Sequence, residues 1–146
     1  MRGPRLSSEN LHASCVAIDG RAVLIAGPSG SGKSDLALRM LDRGFTLVSD
    51  DRTIICKEDG KLFAAAPDTI KGKLEVRGIG IVDMNEVQDV PVALMVELAT
   101  EIERLPDDSR DRAILGIGVP LINIDARTAS APSKVALALD RLGLKF

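Results

Sequence analysis

Aromatic, histidine and cysteine side chains are scarce in this sequence. It has no Trp and no Tyr, and Phe45, Phe63 and Phe146 are its only aromatic residues. Single-stranded nucleic acids stack their bases on aromatic side chains, so this scarcity argues against that class of binding protein. One histidine and two cysteines are too few for the usual four-ligand structural zinc site. Only His12 could complete a Ser-His-acid triad.

A surplus of one charge and long hydrophobic runs are also missing. The chain carries 19 Lys and Arg against 21 Asp and Glu, a balance that argues against a nucleic-acid partner held by bulk electrostatics. No run approaches the roughly eighteen apolar residues that span a bilayer, and the polar start MRGPRLSSEN has no signal-peptide core. We therefore expect a cytoplasmic protein without a membrane or nucleic-acid partner. Cys15 and Cys56 lie in apolar stretches and are expected as free, buried thiols.

The length of 146 residues suits one domain with a core of its own. We expect a loose N-terminus over residues 1–10 and a single domain over residues 11–146. Strand-like stretches outnumber helical patterns, and the turn sequences DG at 19–20 and EDG at 58–60 predict antiparallel hairpins. The sequence therefore predicts an α/β domain with a mixed β-sheet and few helices, rather than a doubly wound parallel sheet.

The positions of these elements follow from local patterns. A helix is predicted over 35–43, where apolar residues meet at i,i+4 and Gly44 ends the pattern. Pro132 opens a second helix, with Val135, Leu139 and Leu142 on one stripe. A loop entering a strand is predicted over 74–82. The predicted strands are 14–18, 22–26, 46–49, 53–57, 61–65, 90–98 and an interrupted strand over 114–124.

The sharpest signal is a glycine-rich stretch that matches G-x-x-x-x-G-K-[ST] in full. Glycines let backbone N–H groups point at phosphate oxygens, and the helix that follows adds its positive end. Lys33 would reach the β- and γ-phosphates of ATP, and the Ser34 hydroxyl would ligate Mg²⁺. The preceding apolar strand and the following helix are the context that this motif requires. The predicted phosphate-binding residues are Gly27, Pro28, Ser29, Gly30, Ser31, Gly32, Lys33 and Ser34.

Acidic residues follow at two places. Asp50 and Asp51 come after a short strand, where P-loop enzymes place a metal-ligating acid. One of them could serve near the metal while the other accepts a proton from an attacking hydroxyl, and the sequence does not say which. Glu75 and Arg77 share a face of an extended segment, which would set a metal ligand beside a cation for a phosphoryl oxygen. On spacing alone, a solvated ion pair is the favoured explanation.

Together these segments resemble the catalytic domain of the HPr kinase/phosphorylase family over about residues 11–142. The similar features are His12 ahead of two strands and GPSGSGKS, then Arg43-Gly44, Asp50-Asp51 and LEVRGIG at 74–80. The resemblance implies an enzyme that uses ATP and Mg²⁺ to phosphorylate a serine of the small phosphocarrier protein HPr, and that can reverse this by phosphorolysis. It also implies a homo-oligomer, and a fold closer to phosphoenolpyruvate carboxykinase than to ordinary P-loop kinases.

The resemblance further implies a role for each candidate residue. Residues 27–34 would hold the ATP phosphates, Ser34 and Glu75 would hold the metal, and one member of the Asp pair would be the general base, acting as the acid in reverse. Without the resemblance, a lone histidine and a loop arginine would be interpreted as surface residues. The side chains implied around the transferred phosphoryl group are His12, Lys33, Arg77 and Arg104.

The sequence departs from longer family members in ways that bear on activity. It has no counterpart of their N-terminal domain or of their further C-terminal helix, which suggests a compact version of the enzyme. Segment 121–130 offers Arg127 as its only cation, whereas the family's phosphorolysis segment is richer in basic residues, so we expect weak phosphorolysis. A kinase of a small hydroxyl metabolite and an ATP-sensing module without transfer remain alternatives. The intact Asp pair favours an enzyme.

Overall fold

The chain, which a computed structural model describes over residues 7–102 and 110–146, consists mainly of β-strands. Its two α-helices are α1 (Lys33–Leu41) and α2 (Ala131–Leu142), and no helix in these two ranges is long and apolar enough to cross a membrane. A 3₁₀ turn spans Asp68–Ile70. The strands are β1 (Ser8–Leu11), β2 (Ala13–Ile18), β3 (Arg21–Ala26), β4 (Thr46–Ser49), β5 (Thr53–Glu58), β6 (Lys61–Ala65), β7 (Lys73–Val76), β8 (Gly80–Asp83), β9 (Val90–Leu98), β10 (Arg110–Ile114) and β11 (Ile117–Ile124).

Nine of these strands form one mixed sheet, in the order β1-β5-β6-β9-β3-β2-β4, with β11 beside β9 and β10 beside β11. Strand β9 is its centre, because it runs parallel to β3 and β11 and antiparallel to β6. All but two residues of β9 are buried, as expected for a strand covered on both faces. The predicted mixed α/β fold is therefore confirmed.

The sheet curls around two hydrophobic clusters, one on each face. Val23 and Ile25 of β3 point to the face covered by α1 and α2, where they join Leu36 and Leu139. Leu24 points the other way, into a cluster with residues of β5, β6 and β9. This alternation follows from the two-residue period of a strand.

The predicted hairpins are confirmed. Asp19 and Gly20 both have positive φ, at 51° and 74°, and Asp59 and Gly60 repeat this with 52° and 73°. Two residues with positive φ make the two-residue turn that matches the twist of paired strands. Helix α1 begins at Lys33, two residues before the predicted start, because Gly32 in the left-handed region lets the loop pass directly into the helix.

Two predicted segments differ from the structure. Residues 8–10, expected in a loose terminus, belong to β1 and pair with β5. Residues 74–82, expected as a loop entering a strand, form the separate hairpin β7–β8. The break predicted within 114–124 is present, but it lies at Leu115-Gly116, where φ is 50° and 80°, whereas Gly118 and Pro120 lie inside β11.

The apolar stripe of α2 is shorter than predicted. Val135 and Leu139 are buried, but the Leu142 side chain is 51% exposed. The reason is that the chain turns back after the helix, so that Leu144 packs against the core and its N–H donates to the Ala93 carbonyl. The end of the stripe is therefore covered by the residue that follows the turn.

Both cysteines are free and buried, as predicted. Cys15 lies in β2 within an apolar cluster, and Cys56 lies in β5. Burial raises the pKa of the Cys15 thiol, which keeps that thiol protonated and unreactive at neutral pH.

Candidate active site

The glycine-rich loop leaves β3 and closes on the first turn of α1. Gly30 and Gly32 have φ of 80° and 100°, a region that other residues adopt at a cost. A Cβ atom on Gly27 would lie 2.6 Å from the Ser31 hydroxyl, so only glycine fits there without a shift of its neighbours. The loop is thus a tight turn whose shape depends on its glycines.

Lys33 is the first residue of α1, and its side chain, which reaches back to the loop, is only 5% exposed. Its ammonium donates to the Gly27 carbonyl at 2.9 Å and to the Pro28 carbonyl at 3.3 Å. The same nitrogen is 3.9 Å from Oδ1 of Asp51. The positive charge is therefore held between the loop and a carboxylate, at the position where a phosphate chain would lie on a P-loop.

Asp50 is buried, and its carboxylate accepts hydrogen bonds from three directions. Oδ1 accepts from the Ser34 hydroxyl at 2.6 Å and from the Ser14 hydroxyl at 2.9 Å. Oδ2 accepts from the Glu75 N–H at 3.0 Å. Asp50 therefore ties together the start of α1, strand β2 and strand β7, and its oxygens face inward.

Asp51 points in a different direction from its neighbour. Its side chain is 58% exposed and faces the Lys33 ammonium. Its φ of 66° is unusual for a residue with a side chain, and its N–H donates to the Ser14 hydroxyl at 3.0 Å. The backbone turn after β4 thus directs one carboxylate inward and the next one outward.

The outward carboxylate borders an open cleft of about 830 Å³ between the loop and the β7–β8 hairpin. Eight of the predicted site residues line it together: Ser29, Gly30, Gly32, Lys33, Ser34, Asp51, Glu75 and Arg77. Glu75 and Arg77 are exposed on the hairpin. Because Asp35 also lines the cleft, it combines two cations, three carboxylates and two hydroxyls.

The donors in this cleft fit a magnesium ion that is shared with phosphates. No group of three histidine, cysteine or acidic side chains that could hold a metal occurs in the two described ranges. Mg²⁺ usually takes one or two protein oxygens and completes its shell with phosphates and water, so such a group is not needed. The Ser34 hydroxyl and the Glu75 carboxylate line the same cleft and supply oxygens of the required kind.

Among the side chains predicted around the transferred phosphoryl group, one that the structure describes does not line the cleft. His12 is exposed between β1 and β2 and is not among the residues that line the cleft. Arg104 lies outside the described residues. Conversely, Ser14 was not among the predicted site residues, although it is fully buried against both aspartates. Its position as the one polar residue in the apolar strand ASCVAI is the feature of the sequence that could have indicated a role for Ser14.

Arg127 lies beside a second cleft, of about 610 Å³, on the other side of the loop. Its side chain donates twice to the Asp125 carboxylate, at 3.0 and 2.8 Å, and its N–H donates once more at 2.9 Å. These contacts lower the pKa of Asp125 to about 2 and raise the pKa of Arg127. The pair stays ionised at neutral pH, and the Arg127 charge has its own partner.

The domain has a mixed α/β fold, in which a complete G-x-x-x-x-G-K-S sequence joins β3 to α1. The model of one protein family, the HPr Serine kinase C-terminal domain, matches residues 5–139. This match covers most of the chain, so the chain belongs to the HPr Serine kinase C-terminal domain family.

Individual relatives agree with this assignment. The HPr kinase/phosphorylase of Limosilactobacillus reuteri (strain DSM 20016) is 34% identical over 133 residues, covering 82% of this chain and 42% of the relative. Those of Lactiplantibacillus plantarum and Chlorobium chlorochromatii are 31% and 36% identical, covering 100% and 80% of this chain but 50% and 39% of the relatives. The chain thus spans half or less of the length of these relatives.

A solved structure supports the fold over nearly its whole length. The structure of the Hpr(Ser) kinase/phosphatase from Coxiella burnetii matches this chain with a TM-score of 0.79 and 30% sequence identity. The match covers 90% of this chain and 94% of that one. The curled mixed sheet described above is therefore the fold of this family.

Proposed function

We propose that this domain is an ATP- and Mg²⁺-dependent kinase that phosphorylates a serine of an HPr-like phosphocarrier protein. The observation that carries the proposal is the pairing of the Lys33 ammonium with the Asp51 carboxylate, 3.9 Å apart, at the edge of one open cleft. A kinase needs a cation for the transferred phosphoryl group and a base for the acceptor hydroxyl side by side. The choice of an HPr-like protein as phosphate acceptor is supported by the name of the relatives, HPr kinase/phosphorylase. A cytoplasmic location and a homo-oligomeric state stay predictions.

In this proposal the loop and the cleft divide the work of phosphoryl transfer. Residues 27–34 bind the phosphates of ATP through backbone N–H groups, and Lys33 turns from the loop carbonyls to the γ-phosphoryl oxygens. Ser34 and Glu75 hold Mg²⁺, which neutralises charge on the phosphates. Arg77, exposed on the hairpin, binds a further phosphoryl oxygen. His12 and Arg104 are proposed to approach the same group when both substrates are bound.

The structure favours Asp51 over Asp50 as the general base. Asp50 accepts hydrogen bonds on both oxygens from groups within the domain, whereas Asp51 is exposed to the cleft. In the transfer, the serine oxygen forms a bond to the γ-phosphorus while the bond from that phosphorus to the β-bridging oxygen breaks. ADP leaves, and the serine proton passes to the Asp51 carboxylate. Positioning and charge neutralisation supply most of the catalysis.

The decisive experiment is a transfer assay with labelled ATP, Mg²⁺ and an HPr-like phosphocarrier. We expect the label on the carrier, and none on a carrier whose acceptor serine is replaced by alanine. Label on a small hydroxyl compound instead would identify a metabolite kinase. ATP binding without transfer to either acceptor would identify a sensing module. Each of the last two results would contradict the proposed function.

Phosphorolysis is expected to be slower than the kinase reaction. It requires inorganic phosphate beside a phosphoserine, and cations must offset the repulsion of the two anions. Arg127 does not help, because it is paired with Asp125 and lines the second cleft. Serine-phosphorylated carrier with excess phosphate should therefore release pyrophosphate slowly, and Arg127→Ala should leave that rate nearly unchanged. A phosphorolysis rate equal to the kinase rate would contradict this prediction.

A further inference from the structure

Ser14 connects the two aspartates of the site. It lies on β2 and is completely buried, in a strand whose other residues are apolar. Its hydroxyl donates to Oδ1 of Asp50 at 2.9 Å and accepts the N–H of Asp51 at 3.0 Å. One hydroxyl therefore fixes the inward carboxylate and the backbone of the outward one.

A β-bulge brings Ser14 to this position. Strand β4 pairs Leu47 with Val16 but Ser49 with Cys15, so that Val48 is an extra residue on β4. Without the bulge, the pairing would continue and place Ser49 opposite Ser14. With it, Asp50 falls opposite Ser14. Bulges occur next to active sites, where they redirect a side chain.

The turn that follows is held in a conformation that needs support. The Arg52 N–H donates to the Asp50 carbonyl at 2.7 Å, and Asp51 between them has a φ of 66°. This pattern is a γ-turn with positive φ at its centre, which is rare and strained. The Ser49 hydroxyl supports the turn by donating to the Arg52 carbonyl. Ser14 is the side chain that holds the Asp51 N–H itself.

We propose that Ser14 is a positioning residue. Through its hydrogen bonds to Asp50 and to the Asp51 backbone, it keeps the Asp51 carboxylate directed at the open cleft between the loop and the β7–β8 hairpin. The inference rests on the proposed function, in which Asp51 accepts the proton of the acceptor hydroxyl. It assigns no contact between Ser14 and substrate. Losing this hydroxyl releases the strained turn, and the carboxylate then samples positions away from the acceptor. Turnover should fall, whereas the loop that binds the nucleotide should be unaffected.

The test compares Ser14→Ala with Ser14→Thr and with Thr53→Val. Thr53 is a matched control, because its buried hydroxyl donates to the Ala13 carbonyl at 2.8 Å and forms no hydrogen bond to either aspartate. A misplaced catalytic group costs up to about 100-fold, so Ser14→Ala should lower kcat by about 10- to 100-fold with KM for ATP nearly unchanged. Ser14→Thr should recover most of kcat, and Thr53→Val should retain it. Unchanged kcat in Ser14→Ala, an equal loss in Thr53→Val, or a loss confined to KM would overturn the proposal.

A second measurement separates this proposal from the proposed function. Amide hydrogen exchange at Asp51 reports the hydrogen bond to Ser14 whether or not the protein transfers phosphate. Losing one hydrogen bond should speed that exchange by about tenfold in Ser14→Ala, with no change at Asp51 in Thr53→Val. If the parent protein transfers no phosphate, the proposed function fails, and unchanged exchange at Asp51 rejects the Ser14 assignment independently. Should Ser14→Ala not fold, Ser14→Cys takes its place, because a thiol hydrogen-bonds only weakly.

Discussion

Lys33→Ala should abolish phosphoryl transfer while the domain remains folded. Removing a positioned donor that stabilises developing charge typically costs about 10²- to 10³-fold, and Lys33 is expected at or beyond that upper limit, since it is the cation inside the loop. The fold should survive because the lost hydrogen bonds end on the Gly27 and Pro28 carbonyls, in a loop whose outer residues are exposed to water. Transfer to the phosphocarrier and thermal unfolding should be measured on the same preparation.

Two further variants make the Lys33 result specific. Lys33→Met keeps the length of the side chain and removes its charge, so it should lose transfer as Lys33→Ala does if charge is the cause. Lys71→Ala removes an exposed lysine that pairs with Asp68 away from the cleft, and it should transfer phosphate like the parent. Activity near the parent level in either Lys33 variant would show that residues 27–34 do not bind ATP as proposed.

Local patterns in the sequence predicted the frame of the site. The DG turns, the apolar run of β9 and the amphipathic pattern of α1 each have one strongly preferred local structure, and the structure has all three. The loop and the strand that ends before Asp50 were therefore placed correctly. The role of Glu75 as a metal ligand came from the family resemblance, because its spacing from Arg77 favoured a solvated ion pair.

The features that the sequence did not predict depend on strand pairing. The β7–β8 hairpin has Ile79 and Ile81 exposed at 77% and 71%, so part of its apolar sequence faces solvent, and the pattern predicted a loop entering a strand instead of a hairpin. The role of Ser14 depends on a bulge in the pairing of β2 with β4, which a single sequence does not reveal. The turn after β4 directs the Asp50 and Asp51 carboxylates apart, and a local sequence pattern does not reveal it, so the sequence alone left the choice of base open.

Asp51→Asn should lower turnover by about 10²- to 10⁴-fold, the usual contribution of a general base, with nucleotide still bound. The substitution suits this position, because asparagine tolerates positive φ better than most residues and the φ of Asp51 is 66°. The backbone turn should persist, so the variant removes the charge and the proton acceptor alone. Steady-state transfer to the phosphocarrier and ATP binding, measured on one preparation, would check both parts of this prediction.

Asp50→Asn should fail in a different way, and the contrast identifies the base. An amide nitrogen in place of a carboxylate oxygen would face the Glu75 N–H or the two serine hydroxyls, so a buried donor is left without its acceptor. A buried unsatisfied group costs about 1–3 kcal/mol, so this variant should unfold at a lower temperature than Asp51→Asn. Because the Asp50 carboxylate also orients the Ser34 hydroxyl, Mg²⁺-dependent ATP binding should weaken. If turnover at saturating Mg-ATP falls further in Asp50→Asn than in Asp51→Asn, Asp50 is the base and the assignment is reversed.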